Sequence, residues 1–145
     1  MTAPLYNNQI LRLAASIPYH ERLTNPMASV EKRSPVCGSR VAVDVDLDEA
    51  GRVAALGMQV RACALGQAAA SLMGAHAIGR TPAELDATRA ALTNWLAGDG
   101  DTPPEWPGLD LFTPALPHSA RHPSIRLAFE AVAEAAALAS RDKAA

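Results

Sequence analysis

An apolar side chain recurs every three or four positions near the start of the chain, at Tyr6, Ile10, Leu13 and Ile17. This spacing places the four residues on one face of a helix. Pro18 should end that helix, because proline lacks the backbone N–H that a further turn requires. The polar segment that follows, as far as Pro26, is rich in turn-forming residues and predicts a loop.

Alternation of apolar and polar residues then predicts β-strands. Residues 27–33 are interpreted as an edge strand. In residues 41–47 every second side chain is valine or leucine, so we expect one face of this strand to be buried and the other, which carries Asp44, to be in water. The same alternation in residues 56–61, across a turn at residues 48–51, predicts an antiparallel hairpin.

Helical spacing returns after the hairpin. A helix is predicted over residues 62–78, ended by Gly79, with an apolar face made by Leu65, Ala69, Leu72 and His76. The segment 81–84, Thr-Pro-Ala-Glu, combines an N-cap threonine, a proline at the first helical position and a glutamate that can close a capping box. A third helix is therefore expected to run from there to about Leu96, with a buried stripe of Leu85, Leu92 and Trp95.

Residues 98–123 are rich in proline and glycine and predict a long surface loop with one short turn. Trp106 and Phe112 either pack beneath this loop or present apolar surface to a partner. Pro123 can begin the last helix, whose apolar face is Ile125, Phe129, Val132 and Ala136. This order of elements predicts an α+β fold, one domain over residues 1–145, with a small antiparallel sheet of about three strands and helices on one face.

Composition excludes several classes of function. The chain has 13 basic and 15 acidic residues and a formal charge of −2, so we do not expect a general binder of nucleic acid or of anionic membranes. No apolar run approaches the roughly 20 residues of a membrane span, and the N-terminus lacks the basic and apolar regions of a signal peptide. The chain has only two cysteines, too few for a disulfide scaffold. Without a signal peptide or a membrane span, a cytoplasmic protein is expected.

Both cysteines lie at junctions between predicted elements. Cys37 stands in Ser-Pro-Val-Cys-Gly-Ser, residues 34–39, where Gly38 permits a sharp turn and the close approach of a ligand. Cys63 opens a helix, and the positive end of a helix favours the thiolate, which is both the nucleophile and the metal ligand. Each cysteine could instead be structural, Cys37 as a small turn residue and Cys63 as a buried thiol among alanines.

The histidines give a weaker signal. His76 falls on an apolar helix face and is interpreted as a packed residue. His118 and His122 flank the start of the last helix, where a neutral imidazole could bind a metal, although surface histidines are the plainer interpretation. The chain contains no Ser-His-Asp order, no phosphate-binding glycine loop and no His-x-x-x-His spacing.

The motifs mean more in combination. The sequence at 34–39 precedes a strand, Cys63 opens a helix of small residues, and Ala-Arg-His-Pro-Ser-Ile at 120–125 opens the last helix. Leu5 and Tyr6 at the first helix, with Asn25 and Pro26 after it, complete an order that resembles the IscU/NifU/SufU family of iron–sulfur cluster assembly scaffolds over nearly the whole chain. The long gap between Cys63 and the last helix resembles the SufU branch.

The resemblance implies that three cysteines and one aspartate converge at one tip of the molecule, where they hold a nascent iron–sulfur cluster, or zinc. Cys37 and Cys63 match two of those cysteines, whereas Ser39 stands at the aspartate position and Ser124 at the third cysteine position. A serine hydroxyl is a poor ligand for zinc or iron, so we expect at most weak binding. His118, His122 or a second subunit could complete the ligand set.

Three functions are consistent with this sequence. The first is a divergent scaffold or sulfur acceptor, not an enzyme, whose family partners would be a cysteine desulfurase and apo iron–sulfur acceptor proteins, with a homo-oligomer as one option. The second is a metal-free interaction or regulatory module on the same fold. The third is a small thiol-dependent enzyme that uses Cys63, for which the sequence supplies no obvious base.

Overall fold

Helices pack against one face of an antiparallel sheet, as the pattern of periodicities predicts. The computed structural model describes residues 6–35 and 38–144. Over these residues the α-helices and strands are, in chain order, α1 (Asn8–Ala15), β1 (Ala28–Arg33), β2 (Arg40–Leu47), β3 (Val53–Arg61), α2 (Ala64–Ala77), α3 (Pro82–Leu96) and α4 (His122–Ala144). None of the helices described is long and apolar enough to cross a membrane.

The sheet has the strand order β1-β2-β3, and both pairs of neighbours are antiparallel. Val43 at the centre of β2 pairs with Val30 and with Met58, and all three side chains are buried beneath the helices. This arrangement confirms the predicted hairpin and the edge position of β1. Because α4 packs against both β1 and β2, it covers the inner face of the sheet.

The outer face of β2 departs from the prediction of a wet surface. Ala42 and Asp44 are 6% and 0% exposed. The polar loop after α1, residues 18–27, lies across this face, and we call it the strap. A Cβ atom on Gly57 would lie 2.5 Å from the carbonyl oxygen of Glu21, so only glycine allows the strap to come so close. Alternation along a strand cannot reveal a second layer that a distant loop supplies.

Asp44 is the polar centre of this second layer. Its carboxylate accepts two hydrogen bonds from the Arg22 guanidinium, at 2.7 and 2.8 Å, one from the Leu23 N–H at 3.0 Å and one from the Ser29 hydroxyl at 2.6 Å. Burial alone would raise the pKa of Asp44, but the hydrogen bonds from Arg22, Ser29 and Leu23 and the positive charge of Arg22 outweigh it, and the pKa is lowered. Asp44 therefore fixes the strap to the sheet as a carboxylate.

Small residues let α2 lie at the centre of the helical layer. It contacts α1, α4 and β3, and ten of its residues are buried rather than the single stripe that its spacing predicts. The capping box of α3 is present as predicted, since the Thr81 hydroxyl accepts from the Glu84 N–H and the Glu84 carboxylate accepts from the Thr81 N–H, both at 3.1 Å. The predicted stripe of α3 is buried as well.

Tyr6 does not lie on the apolar face of the first helix, although the spacing of apolar residues predicts that it does. The first helix begins at Asn8, where Asn7 acts as the N-cap by accepting a hydrogen bond from the Ile10 N–H at 3.0 Å. Ile10 is fully buried, whereas Tyr6, which precedes the helix, is 40% exposed. A local cap thus begins the helix later than the apolar spacing indicates.

The proline-rich segment is more ordered than the predicted loop. It contains two 3₁₀ helices, Leu109–Ala115 and Ser119–Arg121. Trp106 and Phe112 are 3% and 1% exposed, so they pack beneath the segment, and the alternative that they face a partner is wrong. The Trp106 indole N–H donates to the Leu72 carbonyl oxygen at 2.8 Å, and its ring meets Phe129 edge-on with centroids 5.4 Å apart. Trp106 therefore ties this segment to α2 and α4.

Replacing Trp106 by phenylalanine should lower the free energy of unfolding by about 1–2 kcal/mol, because it keeps an aromatic ring but removes the buried hydrogen bond to Leu72. Urea unfolding of Trp106→Phe beside the parent measures this effect. Tyr19→Phe is a matched control, since it also changes one polar aromatic residue but at a side chain that is 49% exposed. Equal midpoints for Trp106→Phe and the parent would show that the indole hydrogen bond adds nothing.

Candidate functional site

The turn between β1 and β2 carries the first candidate motif. Ser34 and Ser39 continue the strand pairing, since the Ser34 N–H donates to the Ser39 carbonyl oxygen at 2.9 Å, and the Gly38 N–H donates to the Ser34 carbonyl oxygen at 3.0 Å. Gly38 has a φ of +73°, the left-handed conformation that the sequence led us to expect of a sharp turn here. Cys37 itself lies outside the described residues.

Strand register brings this turn and Cys63 to the same end of the sheet. Arg40, the residue after Ser39, pairs with Arg61, which is two residues before Cys63. Cys63 is the N-cap of α2, is partly exposed and makes no side-chain capping hydrogen bond. The N-terminal end of a helix favours a negatively charged ligand, so this end of α2 suits anionic cargo.

Ser124 lies beside the first turn of α2. It is in the first turn of α4 and is 2% exposed. A Cβ atom on Gly66, three residues after Cys63, would lie 3.7 Å from the Ser124 Cβ and 3.3 Å from the Ser124 carbonyl oxygen. Gly66 therefore allows α4 to begin against the start of α2. The 34–39 turn, Cys63 and Ser124 all belong to one end of the molecule, although their role as ligands stays a prediction.

His122 is not a surface residue, and the interpretation of it as a surface histidine is wrong. It is 8% exposed, and its Nε2 lies 2.9 Å from the Ala115 carbonyl oxygen. A carbonyl only accepts, so Nε2 is the donor in this hydrogen bond, and Nδ1 is the ring nitrogen that a neutral imidazole would offer to a metal. The 3₁₀ helix Leu109–Ala115 holds His122 in this orientation from the preceding segment. His118, in contrast, is exposed.

The donor set at this end of the molecule matches a metal or cluster site only in part. The four residues that the resemblance assigns to the site, Cys37, Cys63, Ser39 and Ser124, carry two thiols and two hydroxyls, and both serines are buried. Within residues 6–35 and 38–144, no three side chains among His, Cys, Asp and Glu are grouped so that they could hold a metal ion. The chemistry of these donors thus favours a site with two strong ligands at most.

Two charged features of the outer face of the sheet were not predicted from the sequence. One is the Asp44 carboxylate with its hydrogen-bonded strap. The other is a row of three arginines, Arg33, Arg40 and Arg61, that are direct neighbours across the three strands. The sequence carried a signal for the row, because the strand boundaries and the two turn lengths together fix which residues lie opposite each other.

The crystal structure of a nitrogen-fixing NifU-like protein (N-terminal) from Brucella abortus superimposes on the chain with a TM-score of 0.87, at 36% sequence identity over 94% of this chain and 95% of that one. The chain belongs to the IscU/NifU/SufU family. Its α+β architecture is the fold of that family, as the resemblance implied.

A second family structure shares the fold at much lower identity. It is a putative iron–sulfur cluster assembly scaffold protein for the SUF system from Fervidobacterium islandicum AW-1, with a TM-score of 0.77 and 17% identity over 91% of this chain and 96% of that one. At this identity the likeness shows the fold alone. No protein-family model matches the chain, and no curated protein matches it.

Proposed function

We propose that this protein is a divergent iron–sulfur cluster assembly scaffold or sulfur acceptor that works through Cys37 and Cys63. The observation that carries the proposal is the strand register, which brings the turn containing residue 37 to the same end of the sheet as the Cys63 N-cap. Membership of a scaffold family supports the same conclusion. A cluster or its components would be cargo at this end, not a resident cofactor.

Cys63 suits the holding of such cargo. It is partly exposed, so its sulfur can be reached from solvent, and it lies at the N-terminal end of α2, which favours anionic cargo. Ser39 and Ser124 supply hydroxyls where the family supplies a carboxylate and a thiolate, so the site is expected to bind iron, zinc or a cluster weakly. His122 Nδ1 is the remaining nitrogen that could complete the ligand set.

Sulfur acceptance needs only one thiolate. In this step the Cys37 thiolate attacks the outer sulfur of a persulfide on a cysteine desulfurase. A new S–S bond forms at Cys37, the S–S bond of the donor breaks, and the desulfurase cysteine leaves as a thiolate. No oxidant is consumed, because the persulfide passes unchanged in oxidation level from one cysteine to the other. After this step, the protein would pass its cargo to acceptor proteins in the cytoplasm that lack their iron–sulfur cluster.

The test is persulfide transfer measured by mass spectrometry. The protein is incubated anaerobically with a cysteine desulfurase and L-cysteine, and one added sulfur atom is expected on Cys37. Cys37→Ser should abolish the addition, whereas Cys63→Ser is the matched control and should retain it. In parallel, elemental analysis of freshly isolated protein measures bound iron and zinc, and both variants should lose any metal that the parent carries.

Two outcomes would overturn the proposal. If the parent accepts no sulfur and carries neither iron nor zinc, the metal-free interaction module becomes the better hypothesis. If sulfur or metal is present but is unaffected by replacement of either cysteine, the end of the molecule that carries the 34–39 turn and Cys63 is not the functional site.

A further inference from the structure

The outer face of the sheet carries a row of arginines beside the 34–39 turn. Arg33 pairs with Arg40 in the β1–β2 register, and Arg40 pairs with Arg61 in the β2–β3 register. Neighbouring strands are roughly 4.8 Å apart, so the three side chains start from a line about 10 Å long. We call these three residues the arginine row.

Little of this positive charge is neutralised by the residues that the structure describes. The Arg33 Nε lies 3.1 Å from a carboxylate oxygen of Glu31, and both side chains are largely exposed. Arg40 and Arg61 make no ion pair with any residue of the described ranges 6–35 and 38–144. Together with Glu31, Ala42 and Gln59 they line a shallow depression on the open part of this face.

The arginine row is unfavourable for folding. Like charges that stand directly opposite each other on neighbouring strands destabilise a sheet. The buried charge of Asp44, on the same face, is neutralised, because the strap covers Asp44 and places Arg22 against its carboxylate. No described element of the chain covers the arginine row. Residues that lower the stability of a fold in this way are expected at functional sites.

We propose that the arginine row is a docking surface for an acidic segment of a partner protein. Charge complementarity identifies the occupant: each guanidinium offers a planar fork that binds a carboxylate through two parallel hydrogen bonds. Successive carboxylates on an extended peptide can reach neighbouring arginines across the strands. A nucleic acid is a poorer occupant, because the chain as a whole carries a formal charge of −2.

This inference goes beyond the proposed function, since the surface would bind an acidic segment whether or not the cysteines hold metal or sulfur. The position of the arginine row nevertheless relates it to the proposed site. A partner held at Arg33, Arg40 and Arg61 would lie against the turn that contains residue 37, because Arg33 and Arg40 flank that turn. Docking here would therefore bring a sulfur donor or a cluster acceptor to the end of the molecule proposed above.

The experiment measures binding of a dye-labelled polyglutamate peptide by fluorescence anisotropy at low and at physiological salt. We expect Arg40→Gln and Arg61→Gln each to weaken binding by about threefold, and the double variant by about tenfold. Arg12→Gln is the matched control, because it makes the same change in net charge at an exposed arginine of α1. It should leave the affinity unchanged. Polylysine should not bind.

Stability and sulfur transfer separate this proposal from the alternatives. The double variant should fold at least as stably as the parent, since it relieves repulsion, so lost binding cannot be blamed on unfolding. Persulfide transfer to Cys37 measured in Cys63→Ser and Cys37→Ser tests the proposed function independently, because neither change should affect peptide binding.

Four results would overturn the proposal. One is equal loss of polyglutamate affinity in Arg12→Gln and in the row variants. A second is no measurable binding to the parent at low salt. A third is binding of a single-stranded oligonucleotide, but not of polyglutamate, that depends on the row. The fourth is self-association of the parent that the double variant loses, which would make a second copy the occupant.

Discussion

Replacing Ser39 by aspartate and Ser124 by cysteine together should raise the affinity of this protein for zinc by orders of magnitude. The change restores the ligand set of three cysteines and one aspartate that its family resemblance implies. A full set of ligands in a structural zinc site is worth roughly 10–16 kcal/mol of binding free energy, whereas two thiols alone hold the ion weakly. Each single change should give a smaller gain, because three protein ligands leave one position of the tetrahedral shell to water.

The fold should accept both changes. Ser39 and Ser124 are 3% and 2% exposed, so the new side chains enter packed surroundings. Ser124→Cys only exchanges a hydroxyl for a thiol, whereas Ser39→Asp adds a carboxylate whose charge the bound zinc ion would neutralise. Gly66 leaves the start of α2 open toward Ser124, since a Cβ there would already be within 3.7 Å of the Ser124 Cβ.

Calorimetric titration with zinc is the measurement, supported by thermal unfolding with and without the metal. A ligand that binds only the folded state raises stability by RT ln(1 + [L]/Kd), so the double variant should melt later in zinc while the parent should not. The matched control pairs Ser39→Asp with Ser71→Cys, which adds a cysteine to a buried serine of α2 farther from its N-terminus. If the restored variant binds zinc no better than this control, residue 124 does not face Cys63.

Local signals predicted most of the secondary structure. Alternation gave the β2–β3 hairpin, and the capping box of α3 set its start, because both are determined by residues within a few positions of each other. The position of the 34–39 turn beside Cys63 was also predictable, because Cys63 lies at a strand–helix junction and the pairing of β2 with β3 brings the turn to that end of the sheet. Whether these residues bind a metal or sulfur stays a prediction.

What the sequence did not reveal is contact between distant segments. The sequence pattern predicts that Asp44 is a solvent-exposed strand residue. In the structure the strap, which lies more than 15 positions earlier in the chain, covers Asp44, and Arg22 of the strap pairs with it. Trp106 and His122 are similar, since their partners are the backbone carbonyls of Leu72 and Ala115. Any residue supplies a carbonyl, so no side-chain pattern could have identified these partners.

Removing the Arg22 guanidinium should lower the free energy of unfolding at neutral pH by about 3 kcal/mol, near the low end for a broken buried ion pair. Arg22→Met leaves the Asp44 carboxylate buried with only the Ser29 hydroxyl and the Leu23 N–H as donors. The Arg22 side chain is itself 47% exposed, which is why the loss should not reach the upper end. Arg12→Met, at an exposed arginine of α1, is the matched control and should be nearly neutral.

The acid dependence of stability should identify Asp44 as the responsible group. Because the folded-state pKa of Asp44 is lowered, the carboxylate stabilises the fold fully above its unfolded pKa of about 3.9, and that contribution is lost as pH falls through the lower folded pKa. Asp44→Asn removes this titration, so its free energy of unfolding should fall less steeply than that of the parent at acid pH, although it starts lower at neutral pH.

Arg22→Met should show the opposite shift. Without the guanidinium, burial acts on the Asp44 pKa with less to oppose it, so the pKa rises and the carboxylate takes up its proton at higher pH than in the parent. Proton uptake then relieves the unpaired charge, and the deficit of Arg22→Met relative to the parent should shrink as pH falls. Urea unfolding across a pH series measures all three proteins, and parallel curves would mean that Asp44 does not fix the strap as a carboxylate.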